Sequence, residues 1–505
     1  NLDALKATRS SSRSLGFLNN SEYFPSITNS SAFELKSNFD QFSNNLIIGL
    51  TMVRDDRDPS GNPFPALRIY DGSATIYAGS EPYSTANQLY QDVLTITDNF
   101  TIYKGKHTIT IGTNNELSST YNLFMRKNFG EYRYSTVADF LTIGTGSEVP
   151  AYQYERGYSL IDNITGDGSA AAADFNMIQL GIYAQDEYQV NDQLKVTAGI
   201  RFDMPMFPVK PDEDKNFNTV TRPALEAAGW DMMGAKAGQM PKTQLMFSPR
   251  IGFNYDLKGD ESIQLRGGMG IFTSRLPLVW PGGSYTNNGV AIGGVYHRSS
   301  WGTDIFFRPD WDNQYKAADF GGTDAPWGGQ VDLFSKDFKF PQIFRTSLGL
   351  DQKLPWGMIG TLEGIFTKTM NNVLYYNINI NPNPDFYLTG ADNRPHYSNS
   401  GIDGDYTRVM LGTNTNKGFT YNITAELRKP FEKGFTASLA YSFGKAKVVN
   451  DGTSSQNSSQ YRYMEQVNGL NNLDMSYSDF DMGHRIVAFL TYKKEWLKNM
   501  ATLIS

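Results

Sequence analysis

The chain has no cysteine, which removes thiolate nucleophiles, thiolate metal sites and disulfide staples together. Histidine is almost as scarce. The 4 histidines, His107, His297, His396 and His484, fall in separate regions, with no His-x-x-x-His or His-Glu-x-x-His pair to hold a metal. No G-x-S-x-G elbow sets a nucleophile beside a base. These absences predict a protein that is not an enzyme and carries no metal or cofactor. Positive charge is short too: 45 Lys and Arg stand against 52 Asp and Glu, a formal net charge of −7, and no Lys/Arg-rich run offers a footprint for nucleic acid. No apolar run reaches the roughly 18 residues that a membrane-crossing helix needs. Nor does a basic and then apolar leader open the chain at Asn1, so a signal peptide has been removed or the true start lies upstream.

What is present is alternation. From Phe175 to Asp203 the apolar residues Ile178, Leu180, Ile182, Ala184, Tyr188 and Val190 share one parity, and Gln179, Tyr183, Gln185, Glu187 and Gln189 share the other. Beyond Asn191-Asp192 the pattern resumes with Leu194, Val196, Ala198, Ile200 and Phe202 against Lys195, Thr197, Gly199, Arg201 and Asp203. A period of two is that of a strand, so this is an antiparallel hairpin with one apolar face. Ten residues rise about 33 Å and, tilted by about 40°, cover about 25 Å, the height of the apolar band of an outer-membrane barrel. Asp186 breaks the apolar parity; close to the turn it would sit near an interface, where a charge costs about 0–1 kcal/mol.

Six further hairpins follow the same grammar. Phe33–Phe42 and Leu46–Val53 flank Ser43-Asn44-Asn45; Thr97–Tyr103 and His107–Gly112 flank Lys104-Gly105-Lys106; Leu245–Leu257 turns at Lys258-Gly259-Asp260 into Ser262–Phe272. Phe344–Leu350 turns near Pro355-Trp356-Gly357 into Met358–Phe366, Phe419–Arg428 turns through Pro430–Gly434 into Phe435–Phe443, and Ile486–Tyr492 turns through Lys493–Lys498 into Ala501–Ser505. Seven short turns thus join about fourteen strands. Between hairpins the connections are long: Arg54–Ile96, Thr113–Asp174, Met204–Thr243, Thr273–Lys339, Thr367–Gly418 and Gly444–Gly483. Short and long connections alternate strictly, as the periplasmic turns and outer loops of a transmembrane antiparallel β-barrel do. A soluble β-sandwich or propeller has no reason to segregate loop length this way.

Aromatic residues fit the same map. The 7 Trp accompany 29 Tyr and 32 Phe; Trp356 and Trp496 fall at short turns, where an interfacial girdle uses amphipathic rings. Trp230, Trp280, Trp301, Trp311 and Trp327 fall in long loops and are the candidate ligand contacts, with packing among the loops themselves as the plainer account. His107 and His484 open strands, as structural residues at an interface would. The acidic groups Asp212-Glu213-Asp214 and Asp403-Gly404-Asp405 offer oxygens of the sort calcium takes, but lack the spacing of a calcium loop and fit solvated loop charge. Gly267-Gly268-Met269-Gly270 lies in a strand with no helix to follow, which points to close backbone packing and not to a phosphate cradle.

The segments Gly181–Tyr188, Leu194–Asp203 and Phe247–Gly252 resemble recurrent barrel strands of the TonB-dependent receptors of Gram-negative outer membranes. Gly105–Thr108 and Asp481–Ala488 are similar to the Oar-like subgroup, whose full members carry a carboxypeptidase-regulatory-like domain. The resemblance spans most strands from about Asn45 to Tyr492 and leaves the loops unmatched. It implies a barrel of about 22 strands, of the size of plugged outer-membrane transporters. In such a receptor an N-terminal plug is pulled by the TonB complex to admit a scarce ligand. The partners it implies are that complex, outer-membrane lipid, an extracellular ligand and a surface lipoprotein. No plug or TonB-contact segment precedes Phe33, and the chain stops inside a strand, an edge that hydrocarbon does not tolerate. The expectation is therefore a partial barrel over residues 1–505, with plug and final strands outside it. A passive or structural barrel, and a soluble β-rich surface protein that binds carbohydrate, are the alternatives.

Overall fold

Side chains that alternate between two surroundings commit a chain to strands, and long strands need neighbours on both edges to satisfy every backbone N–H and C=O. The computed structural model, which describes residues 2–6, 10–161, 168–321, 329–398, 401–497 and 500–504, meets both demands with a meander of long strands. They are β1 (Glu22–Asn38), β2 (Phe42–Asp56), β3 (Asn87–Lys104), β4 (His107–Phe124), β5 (Ala173–Gln189), β6 (Leu194–Met206) and β7 (Met246–Asp256). The series continues with β8 (Ile263–Thr273), β9 (Gln342–Leu354), β10 (Met358–Asn377), β11 (Gly418–Glu432), β12 (Phe435–Val448), β13 (His484–Leu497) and β14 (Met500–Ile504). Each pairs antiparallel with the next along the chain. No helix among the described residues is long and apolar enough to cross a membrane; this wall of strands is the barrel element.

The hairpins fall where the alternation places them, with three turns shifted. The first turn is Phe39-Asp40-Gln41, with Asn38 opposite Ser43, and not Ser43-Asn44-Asn45. Those polar residues lie inside β2, where Asn44 Nδ2 donates to Asp98 Oδ1 at 2.8 Å. Ser43 and Asn45 have the lumen parity, while Asn44 has the outward parity of Phe42 and Leu50 close to the short turn. Polar side chains are tolerated there without breaking the strand, so a polar cluster at that place is no turn signal. Likewise β11 runs through Pro430 to Glu432 with a register irregularity after Lys429, the proline being accommodated at that bulge. The last strand pair extends through Lys493 to Leu497, and Lys498 and Asn499 lie outside the described residues. At the second turn Gly105 takes φ +59°, which lets two residues reverse the chain between Lys104 and His107.

The strands are also longer than the alternation alone suggests. β3 and β4 have 18 residues each and β10 has 20, which at about 3.3 Å per residue exceeds the roughly 25 Å apolar band even when tilted. Their outer ends therefore rise above the bilayer, and the long loops start from that raised rim. The outward face is apolar as expected: Ile182 is 61% exposed, and Phe33, Ile111, Ile251, Leu348, Leu362, Leu439 and Ile486 are exposed with it. The lumen face is polar and paired, as in Arg201 Nη2–Asp203 Oδ1 at 2.7 Å and Arg266 with Asp351 and Glu363 at 2.9 and 2.6 Å. Asp186, the parity exception, meets His107 Nδ1 at 2.7 Å beside the second turn. His484, at the start of β13, hydrogen-bonds the Tyr441 hydroxyl at 2.7 Å. Trp356 is 83% exposed at its short turn. The glycines of β8 are closely packed: a Cβ at Gly267 would sit 2.9 Å from the Phe253 ring, and one at Gly268 2.9 Å from the Ile251 carbonyl oxygen.

Above the wall the long connections fold on one another. Ile292–Arg298, Gln153–Ser159, Glu131–Tyr134, Ala66–Asp71, Ala74–Ala78 and Ser14–Gly16 form a second sheet in that order. Gly329–Phe334 runs parallel to Tyr406–Thr415, which in turn pairs with the outer end of β10. Among the described residues, five clusters of buried apolar side chains hold this loop body together.

Candidate functional site

One loop turns down into the barrel. After β8, Arg275 reaches Glu116 of β4 with an ion pair of 2.5 Å, and the helix Val279–Thr286 lies against the outer end of β5. Tyr285 stacks on Phe175 with ring centroids 4.4 Å apart and planes 7° apart, and Gly282 passes close enough that a Cβ there would touch that ring at 3.5 Å. Phe175 and Met177 have the lumen parity of β5 and are buried, so the helix occupies the mouth from within.

Between this helix and the loop sheet lies a cavity of about 390 Å³. Its lining draws on five of the six long connections: Arg126, Lys127, Glu155 and Arg156 from the second, Val279–Asn287, Ile292–Tyr296 and Gly329–Asp332 from the fourth, and Tyr83, Arg408 and Asn457 from the first, fifth and sixth. Sequence distance hides it entirely. Asp332 is its deepest charged group, buried and accepting from Gln330 Nε2 at 2.7 Å, Asn287 Nδ2 at 3.0 Å and Asn457 Nδ2 at 3.1 Å. Burial pushes its pKa up to about 6, against those three amides, which favour the charged form. A Cβ at Gly283 would collide with that carboxylate and with the Asn457 amide, so a larger residue there would displace both side chains.

At the sheet side, Glu131 is buried among Lys127 at 2.9 Å, Arg133 at 2.7 Å and Arg68 at 3.6 Å. Burial alone would raise its pKa, but the three cations win and hold it below the usual carboxylate range. Lys127 and Arg133 also bind Glu155. The opposite face of the same sheet carries Tyr132, Tyr154 and Tyr158 in an apolar cluster with Leu67 and Val295.

The four loop tryptophans among the described residues, Trp230, Trp280, Trp301 and Trp311, are not brought together. Trp280 is 5% exposed, its indole N–H donating to the Ser454 carbonyl at 2.8 Å and its ring edge-on to Tyr375. Trp230 donates to the Ile380 carbonyl at 2.8 Å. Trp301 and Trp311 are 57% and 39% exposed, beside His297 and Phe129 respectively. Trp327 lies outside the described residues, and of Trp496 only the backbone strand is described. The two acidic groups act as tethers: Asp214 accepts from the Tyr406 hydroxyl at 2.7 Å and Asp403 from Thr221 at 2.5 Å, joining the third loop to the fifth. Among the described residues no three His, Asp or Glu are placed to hold a metal.

The family model for the outer membrane beta barrel domain matches residues 11–504. No curated protein sequence matches. Among solved structures, the chain is similar to the outer membrane transporter YddB from Escherichia coli at 11% identity, with a TM-score of 0.55, covering 97% of this chain and 51% of that one. It also aligns with the ferric yersiniabactin uptake receptor FyuA from Yersinia pestis at 9% identity and a TM-score of 0.44, covering 96% and 49%. The chain spans about half the length of the transporter whose fold it shares. With apolar strands outside, a paired polar face within and loops gathered at one rim, the chain belongs to the outer membrane β-barrel domain family of Gram-negative bacteria.

Proposed function

We propose that this chain is the wall and ligand-binding loop body of a TonB-dependent receptor that imports a scarce extracellular ligand. The observation that carries it is the occupied mouth: a helix seated on Phe175 and a cavity lined by five loops. A passive pore needs an open path, whereas an energised receptor needs to hold its ligand before admitting it. The plug domain and the TonB complex belong to this reading through the resemblance of the strand motifs. Trp301 and Trp311 are the loop tryptophans we assign to the ligand, since the indole N–H groups of Trp230 and Trp280 are already bonded within the loop body.

Cells making the full-length protein are expected to lose uptake of the ligand when the proton gradient is collapsed, and the purified protein in liposomes is expected to pass no steady current. Gradient-independent uptake with a steady pore current would establish the passive barrel instead.

A further inference from the structure

The cavity lining carries more cations than carboxylates. It holds four cations, Arg126, Lys127, Arg156 and Arg408, against two carboxylates, Glu155 and Asp332, a formal surplus of two in a chain whose net charge is −7. Most of these groups are already engaged. Lys127 is held by Glu131 and Glu155, Arg156 donates to the Asn128 and Gln314 carbonyls at 2.9 Å each, and Asp332 is sealed by three amides. Arg126 and Arg408 are different: among the described residues neither guanidinium makes a hydrogen bond or a salt bridge, and Arg126 only feels the charge of Asp332.

Placement is specific. Arg408 stands opposite Gln330 in the parallel pair of loop strands, and Gln330 in turn bonds Asp332, so Arg408 shares the face that looks into the cavity. It is half-buried, and burial together with the like charges of Arg126 and Arg462 lowers its pKa. Arg408 is partly stripped of water beside a second guanidinium, that of the exposed Arg126. Although Asp332 attracts Arg126, that carboxylate is already shared among three amides, so the like-charged pair carries a cost that an incoming anion offsets. A guanidinium presents a planar fork of donors matched to carboxylate and phosphate oxygens. Around it the lining is rich in neutral hydrogen-bonding groups, Asn122, Asn287, Thr407 and Gln456 among them, suited to the remaining oxygens of such a ligand.

We propose that this cavity binds a ligand bearing an oxyanion group, carboxylate or phosphate, gripped between Arg126 and Arg408. The proposal deepens the import reading and rests on it for the physiological ligand, but binding itself is separable. Full-length protein in detergent at low salt is titrated calorimetrically with citrate, with inorganic phosphate and with maltose as a neutral control. At least one anion is expected to bind, with citrate or phosphate preference distinguishing the two chemistries, and maltose not to compete. R408Q is expected to weaken that binding by about tenfold or more, the loss of charge-assisted hydrogen bonds, R126Q to weaken it less, and R394Q, at an exposed arginine paired with Asp392 away from the cavity, not to change it. Should R408Q misfold by heat-modifiable electrophoretic mobility, the wild type decides: binding must fall steeply as sodium chloride is raised. No binding of either anion to the wild type, or undiminished binding to the folded R126Q/R408Q double variant, overturns the proposal. Anion binding without energised uptake would overturn the import reading alone, and energised uptake of a neutral solute with no anion bound would overturn this one alone.

Discussion

The two halves of β5 use the same alternation for opposite ends. Toward the short turn, the even-numbered Leu180 and Ile182 point outward and are exposed, while Tyr183 and Gln185 face the lumen. Toward the rim the dress reverses: Phe175 and Met177 point inward and are buried under Tyr285 and Leu278, and Asp174 and Asn176 point outward, exposed. Strand geometry is constant along those 17 residues; what differs is the medium on each side. Below, hydrocarbon lies outside and water inside; above, water lies outside and a folded loop body inside. An apolar residue follows the drier side. The wall and the loop body are thus two hydrophobic solutions in one chain, one completed by lipid and the other by the chain itself.

The largest expected effect lies in the loop body. Trp280 is enclosed by Tyr375, Phe334 and Met464, so Trp280→Ala should cost about 3–5 kcal/mol of loop-body stability. The wall should be untouched: protease should cut the loops of the variant while its heat-modifiable mobility persists, and joint loss of both would mean that wall and loops fold as one unit. Next in size, Ile182→Arg places a charge in the lipid band and should cost about 2–4 kcal/mol in barrel assembly, measured by folding into vesicles. Thr197→Lys, on the opposite parity, should assemble normally, and equal tolerance of both changes would remove the lipid from the account.

The smallest effect concerns pH. Asp332 titrates higher in the folded chain, at about 6 against an ordinary 3.8, so the folded state binds more protons than the unfolded one in between. Stability of the loop body should therefore fall as pH rises through this window, by about 1 kcal/mol between pH 5 and 7.5, and level off above the folded pKa. Protease resistance of the loops should follow that trend in the wild type and lose it in Asp332→Asn. The wall should show no such step.

The wall was legible in the sequence because its rule is local. Each residue needs only its parity, and lipid, a uniform partner, supplies the rest; hence Ile182, Ile251 and Leu439 are outward as the alternation requires. The misplaced first turn has the same origin, since Ser43-Asn44-Asn45 mimics a loop where a strand nears its short turn, with Ser43 and Asn45 toward the lumen and Asn44 outward. The cavity was not legible. Arg126, Asp332, Arg408 and Asn457 come from four connections, with no period to relate them, and the four described loop tryptophans lie apart from one another. Asp332 and Gly283 alone carried no signal until the helix Val279–Thr286 set Gly283 against that carboxylate.

Alternation, turn spacing and the segregation of long from short connections determined by themselves that this chain is an outer-membrane barrel wall, because period, pleat and lipid act on neighbours a few residues apart. Only the tertiary structure decided that the loops form a body with its own core, and that two arginines from separate loops share a cavity with a buried carboxylate. Those contacts join residues up to hundreds of positions apart, and their energy comes from mutual burial, which no single segment contains.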